Sequence, residues 1–375
     1  MDRMDIENNW SDKVTEKAKI SSIQLFMIFI GFLHGSSVIL SPAASAKNDA
    51  WLAIIFGGLG GALLICMYVA IALLNPSKTL VQILQSRFGT FIGNAVAILY
   101  IWYFIHLASL VLRNFGEFIV TVTFPETPIV VTIGIFAALV LYAVNSGIEV
   151  MSRLGELFVP FMLFSTVIVM SLSLITTQDF TAFLPLLENG IKPVIDAAFG
   201  LMSFPYGETV VFLMVFPHLN SKGKLKGVIA LSTGTYMIMS LFIFFRCIAV
   251  MGADLFYRVT FSPHLIALLI PEVNMESLID VNLLIGGGIK ISICIYAAAK
   301  ALSQVFGISD YRKMTTAITV FCVVLSIWVY ENILEMFDWA QKVWPFYSIP
   351  FQVFIPLILL VLSLKSRKKQ LSSDS

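Results

Sequence analysis

The sequence predicts an all-α polytopic membrane protein whose ten transmembrane helices form two inverted repeats of five. The first observation is the composition: 58% of the 375 residues are apolar and only 13% are charged, as in proteins that cross a membrane several times. The second is that the apolar residues fall into ten runs of roughly the length that crosses a bilayer. The third is that the first and the sixth runs both contain residues that break helices.

The ten apolar runs lie between two polar ends. Residues 1–19 are polar, the membrane domain is expected at 20–364, and a basic tail covers 365–375. The first repeat is expected at about 20–175 and the second at about 194–364. Because each repeat has an odd number of spans, the second enters the membrane from the opposite side.

Two of the loops between the spans contain apolar segments of their own. Residues 78–92 have apolar residues at helical spacing, which predicts a short helix at the membrane surface. In the longest loop, 251–280, the apolar segment 265–270 is too short to cross and is expected to form a lid or surface helix. The ten spans are predicted at about 20–40, 51–74, 94–118, 129–144, 157–175, 194–216, 228–250, 281–304, 315–330 and 345–364.

The basic residues of the loops predict the orientation of the chain. With ten spans, sixteen Lys and Arg residues lie on the side of the two termini and five lie on the opposite side. Loops rich in Lys and Arg stay in the cytoplasm, so both termini are expected there.

The segment 203–208 is the strongest indication of function. Pro205 removes a backbone donor, Gly207 lets the chain leave helical geometry, and Glu208 places a carboxylate near the middle of the span. Unwound backbone at this depth is tolerated where it lines a cavity. We therefore predict a ligand site with a wall formed by Ser203, Phe204, Tyr206, Gly207 and Glu208.

The first span has a matching interruption at Gly31 and at His34-Gly35-Ser36-Ser37. Paired interruptions in two inverted halves indicate a central site of the kind found in transporters. The free amides of half-helix N-termini suit a carboxylate or another polar group of a ligand. Ligand contact is therefore predicted for all five residues, Gly31, His34, Gly35, Ser36 and Ser37.

Two charged side chains at membrane depth have alternative interpretations. Glu208 either hydrogen-bonds to its own unwound backbone or contacts a ligand or a coupling proton. Lys290 follows three glycines near the middle of the eighth span and either extends to the surface or is an internal cation paired with Glu208. We expect the internal cation, because a mid-span position is too deep for extension to be easy.

Other classes of function lack their motifs. The sequence has no zinc-protease motif, no phosphate-binding loop and no nucleophile elbow, so it is not expected to be an enzyme or to bind a cofactor. Its four cysteines lie in apolar runs, which argues against disulfides and against a metal site. The expected partners are a small molecule and the lipid bilayer, and no nucleic acid is expected.

Several segments together resemble the spore germination permease family, the B subunits of germinant receptors within the amino acid–polyamine–organocation transporter superfamily. They are the break at 203–208, the stretch Leu184-Pro185-Leu186-Leu187-Glu188-Asn189-Gly190 with Lys192-Pro193, and the length with short polar ends. The resemblance implies a LeuT-like fold and a location in the inner membrane of the spore. It also implies assembly with separate A and C subunits and a small nutrient germinant such as an amino acid or a sugar.

The resemblance also implies roles for three residues. The third span flanks the ligand in this superfamily, so Tyr103 and His106 are predicted to contact it, with hydrogen bonding inside the bundle as the alternative. In related sodium-coupled transporters a sodium ion lies between the first and eighth spans, and the ammonium of Lys290 could take its place. The alternative function is a secondary amino-acid transporter coupled to protons or sodium.

Overall fold

The computed structural model describes residues 18–35, 37, 42–176, 178–272 and 274–373. In this part of the chain the regular structure is helical, apart from one isolated bridge between Ile20 and Leu219. Residues 1–17, Ser36, 38–41, 177, 273, 374 and 375 lie outside the described part.

The first half consists of five long helices in the order that the apolar runs predict. Ser21 and Thr79 each cap the N-terminus of a helix with a capping box. The side chain of the cap residue accepts a hydrogen bond from the backbone N–H of a Gln three residues later, and the side chain of this Gln accepts one from the backbone N–H of the cap residue. Gly89, at a φ of 78°, divides the third helix into a short helix and a long one, so the short helix predicted at 78–92 leads into the third span. The helices are α1 (Ser22–His34), α2 (Ala50–Leu74), α3 (Leu80–Phe118), α4 (Ile129–Asn145) and α5 (Ile148–Leu172).

The second half has three interrupted spans. The sixth span consists of α6 (Lys192–Leu201), a π-helical turn (Met202–Tyr206) and a 3₁₀ helix (Gly207–Met214). It is followed by α7 (Leu225–Met251), the loop helices α8 (Ala253–Arg258) and α9 (Ser262–Leu268), and α10 (Glu276–Phe306). The chain then continues with α11 (Arg312–Trp328), α12 (Ile333–Lys342), α13 (Trp344–Ile349), a π-helical turn (Pro350–Phe354) and α14 (Ile355–Ser373).

Seven helical stretches of the described chain are long and apolar enough to cross a membrane. The predicted first and fourth spans correspond to the shorter apolar helices α1 and α4. The predicted ninth span corresponds to α11, which bends by 101° into α12. The all-helical membrane fold is confirmed, and the count of ten spans stays a prediction.

Helix α10 is the centre of the bundle. It packs most extensively against α3 and also against α1, α5 and α11. From Lys290 to Ala301 every side chain on it is buried, and many of them are small. Small residues let neighbouring helices approach closely in a membrane protein. The middle of α10 is therefore the place where elements of both halves meet.

The expected interruption of the first span at Gly31 is wrong. Helix α1 continues through Gly31 and ends at His34, where the second expected interruption begins. A Cβ atom on Gly31 would lie 3.1 Å from the Val159 side chain and closer still to Ile289. Gly31 therefore serves the close packing of α1 on α5 and α10, and the helix has no need to open there.

Candidate ligand-binding site

The sixth span breaks at the predicted segment. Helix α6 ends at Leu201, Phe204 leaves helical geometry with φ −133° and ψ 120°, and a 3₁₀ helix begins at Gly207. Pro205 has no N–H to donate, which helps to end the regular helix. All six residues from Ser203 to Glu208 are buried. The break is therefore an interior feature, as its composition indicates.

Side chains from two other spans satisfy the carbonyl groups that the break leaves free. The Gln352 amide donates from Nε2 to the Ser203 carbonyl at 3.0 Å and to the Tyr103 hydroxyl at 2.9 Å. The Tyr68 hydroxyl lies 3.1 Å from the Gly207 carbonyl and 2.7 Å from the Gln352 carbonyl, between two acceptors. These bonds offset the cost of burying unpaired backbone groups.

Gly207 lets the tenth span approach the break. A Cβ atom at this position would overlap the Gln352 amide, which is itself 1% exposed. Gly207 is therefore required because the tenth span packs so closely against it. Its backbone conformation does not require a glycine, since its φ of −62° is accessible to any residue. Gly61 on α2 has the same role, because a Cβ there would overlap the Tyr206 ring.

Glu208 and Lys290 form a buried ion pair between the break and α10. Their side chains are 1% and 0% exposed, so Lys290 does not extend to the surface and is an internal cation. The ammonium also lies 4.5 Å from the centre of the Phe204 ring and 5.3 Å from that of Phe32. Aromatic faces attract a cation and partly replace its water.

The end of α1 meets the same place on α10. A Cβ atom on Gly35 would lie 2.7 Å from Cδ of Lys290 and 3.0 Å from the Gly286 carbonyl. The glycine therefore packs against the stem of the lysine. The two broken spans and the middle of α10 converge on one charged side chain.

A cavity lies beside the ion pair, and we call it the Glu208 cavity. Its volume is about 30 Å³ in this conformer, and its wall includes Phe204 and Glu208 from the break and Trp344 from α13. Apart from Glu208 the lining is mainly apolar and aromatic. The other lining residues are Pro42, Leu107, Leu110, Val111, Asn114, Tyr330, Phe337, Trp339, Ala340 and Gln341.

Tyr103 and His106 lie next to this cavity without lining it. Tyr103 is fully buried and stacks on Phe351 at 4.7 Å and on Trp344 at 5.7 Å. The His106 ring stacks on Trp102 at 5.5 Å, and its Nδ1 lies 3.2 Å from the Tyr347 hydroxyl. Both side chains have the partners inside the bundle that the alternative interpretation expects, and a ligand contact of either stays a prediction.

His34 and Ser37 line a different cavity, which we call the His34 cavity. Its volume is also about 30 Å³ in this conformer, and it lies between α1, α5, α7, α9 and α10. The sequence grouped the two breaks into one site, whereas the structure separates these residues from Glu208. Gly31, Gly35, Ser203, Tyr206, Gly207 and Lys290 line neither cavity, and Ser36 lies outside the described residues.

Sequence reasoning missed Gln352, Tyr68 and the aromatic residues Trp339 and Trp344. Gln352 could have been found, because it is an amide two residues after Pro350 inside an apolar run, the same kind of signal as Pro205 before Glu208. Tyr68 gives no such signal, since a tyrosine in an apolar helix is usually core or interface.

The arrangement of the broken sixth span and the helices around α10 is that of the LeuT fold, as two solved structures show. A Na⁺-coupled sialic acid symporter in a substrate-bound outward-open state matches with a TM-score of 0.69 and 13% identity, over 92% of this chain and 78% of the symporter. Mhp1, a nucleobase-cation-symport-1 family transporter in a closed conformation, matches with a TM-score of 0.67 and 15% identity, over 92% and 78%. At this identity the likeness shows the fold alone.

The family follows from the sequence comparisons. The family described as "Spore germination protein" matches residues 19–333. Spore germination protein KB of Bacillus subtilis (strain 168) is 32% identical over 367 residues, which cover 95% of this chain and 97% of that protein. The chain belongs to the spore germination permease family, and the resemblance predicted from the sequence is confirmed.

Proposed function

We propose that the chain is the nutrient-sensing subunit of a germinant receptor and binds a small nutrient in the Glu208 cavity. The buried Glu208–Lys290 pair at the break, with Glu208 on the cavity wall, is the observation that carries this proposal. The subunit would lie in the inner membrane of the spore with both termini in the cytoplasm. It would act together with A and C subunits, as the resemblance implies.

The ion pair gives the cavity a way to respond to a ligand. Burying two charges is costly, and the pair is favourable only while each charge keeps a partner. A nutrient with an ammonium or carboxylate group would offer one of the two residues a new partner and so weaken the contact between the break and α10. Binding would then shift the equilibrium between two conformers, and the size of the shift would be set by the difference between the nutrient's affinities for them.

A secondary transporter for an amino acid is the alternative function. The likeness to cation-coupled symporters favours it, since those proteins share the fold. Lys290, close to the end of α1, would occupy the region where a coupling ion is expected. Uptake of labelled amino acids by vesicles that contain this chain alone would support the transporter, and a requirement for partner subunits would support the receptor.

Germination of spores that carry single variants tests the receptor proposal. Glu208→Gln removes the charge on the wall, and Asn114→Leu changes the wall on α3. Glu126→Gln, on an exposed loop, is the matched control for Glu208→Gln. Protein in the spore membrane is measured in parallel, across a panel of amino acids and sugars.

We expect both wall variants to raise the half-maximal nutrient concentration by about tenfold or more, which corresponds to about 1.4 kcal/mol of binding free energy. The control variant should respond like the parent. An unchanged response of both wall variants at normal protein level would place the nutrient elsewhere.

A further inference from the structure

The His34 cavity contains a buried polar atom with no partner. The His34 side chain is part of the cavity wall and is 4% exposed. Its Nδ1 lies 3.3 Å from the Ile30 carbonyl of its own helix, whereas Nε2 has no hydrogen-bond partner among the described residues. Leaving such a nitrogen unpaired costs about 1–3 kcal/mol, so a bound molecule that pairs with it would be favoured.

The rest of the wall offers hydroxyl and amide groups that are already held in place. Asn282 donates to Thr166 Oγ1 at 3.0 Å and accepts from Ser165 at 2.8 Å, which fixes its orientation. Ser37 donates to the His34 carbonyl at 2.9 Å and to the Leu33 carbonyl at 3.2 Å, and its side chain also hydrogen-bonds with the Tyr236 hydroxyl. Preorganised polar groups in an apolar wall are typical of small-molecule sites.

The described lining of this cavity carries no carboxylate, lysine or arginine. A charged ligand would lose its hydration there without gaining a partner of opposite charge, which is strongly unfavourable. The remaining lining is apolar, from Met162, Met170, Ile243, Phe244, Pro263 and Ile279. An uncharged ligand with several hydrogen-bonding groups fits this mixture.

We propose that the His34 cavity is a second binding site, for a small uncharged molecule that carries hydroxyl or amide groups. Its wall shares no residue with that of the Glu208 cavity. The inference goes beyond the proposed function, because it gives the chain two sites of different chemistry. His34 supplies the unpaired nitrogen, and the Tyr236 ring, 5.0 Å away and nearly perpendicular, supports the imidazole.

Ligand-detected saturation-transfer NMR on the purified full-length chain tests this proposal. The probes are myo-inositol, which carries hydroxyl groups, and nicotinamide, which carries an amide. His34→Phe removes the unpaired nitrogen while keeping a ring, and Ser240→Ala removes a hydroxyl from the wall. Ser232→Ala is the matched control, because Ser232 is a buried serine two turns earlier on α7 that does not line the cavity.

We expect saturable binding of at least one probe to the parent chain, a loss of about tenfold or more in affinity with His34→Phe, and a smaller loss with Ser240→Ala. Ser232→Ala should bind the probe like the parent chain. If neither probe shows saturable binding, or if binding is unchanged in both His34→Phe and Ser240→Ala, the proposal is overturned and the cavity holds only water. Neither result bears on the germination response of the Glu208 variants, so the two proposals fail separately.

Discussion

The break in the sixth span and the end of the first span differ in how their polar groups are paired. At the sixth-span break, Gln352 and Tyr68 supply hydrogen bonds to backbone carbonyls from two other spans, and Lys290 pairs with Glu208. The Tyr206 hydroxyl of this break has no hydrogen-bond partner among the described residues. At the end of α1, His34 keeps one ring nitrogen without a partner, and Gly35 makes its close contacts with α10. Two interruptions that look alike in sequence thus have different surroundings.

The difference indicates a division of roles. The sixth-span break is held by side chains that must all be in place, so changes there should cost stability as well as function. At the end of α1, Nε2 of His34 has no partner among the described residues, so replacing this nitrogen should affect binding more than stability.

Gly207→Ala should have the largest effect. The added methyl group overlaps the Gln352 amide, so either the break or the tenth span must move. Overpacking and the loss of buried hydrogen bonds together should cost about 3 kcal/mol or more. The free energy of unfolding of the purified chain, measured by titration with sodium dodecyl sulfate, checks this prediction.

Gly234→Ala is the matched control for Gly207→Ala. Gly234 lies inside α7, and a Cβ atom there meets nothing within 4 Å. Alanine is the better helix former, so we expect no loss of stability. If the two variants were equally stable, the tight contact at Gly207 would not be a constraint on the fold.

Gln352→Leu should cost about 2 kcal/mol. It leaves the Ser203 carbonyl and the Tyr103 hydroxyl without the amide that they share. Tyr103→Phe removes one of these two bonds and should cost less. The combined variant should cost less than the sum of the two, because the residues belong to one network. Additive losses in the same unfolding titration would show that the network is not cooperative.

His34→Phe should change the free energy of unfolding by less than about 1 kcal/mol. The variant keeps a ring against Tyr236 and removes a nitrogen whose burial is unfavourable. A loss as large as that of Gln352→Leu would mean that His34 supports the fold and that the contrast between the two breaks is wrong.

The sequence predicted the helical membrane fold and the break at 203–208, because Pro, Gly and Glu within four residues of an apolar run leave few alternatives. It also predicted that Lys290 is internal and paired with Glu208, from depth alone, and the structure contains this pair. Apart from the pairing itself, each of these features is encoded in a single segment.

The side chains that hydrogen-bond to the backbone of the sixth-span break could not be predicted. Tyr68 and Gln352 meet the break through the packing of separate spans, which no local pattern encodes. For the same reason the sequence placed His34 and Glu208 in one site, whereas the structure gives each its own cavity. The assignment of ligand contacts, the boundaries of the two repeats and the orientation of the termini remain predictions.

The role of the ion pair in nutrient sensing is tested most directly by the double variant Glu208→Gln with Lys290→Met, compared with each single variant in spores. Either single variant leaves one buried charge unpaired and should cost about 3–5 kcal/mol, with a reduced amount of protein in the membrane. The double variant removes both charges, so the amount of protein should return toward that of the parent. We expect spores with the double variant still to fail to germinate in response to nutrient. Normal germination of the double variant at normal protein level would show that the pair serves the fold alone and would contradict its proposed role in sensing the nutrient.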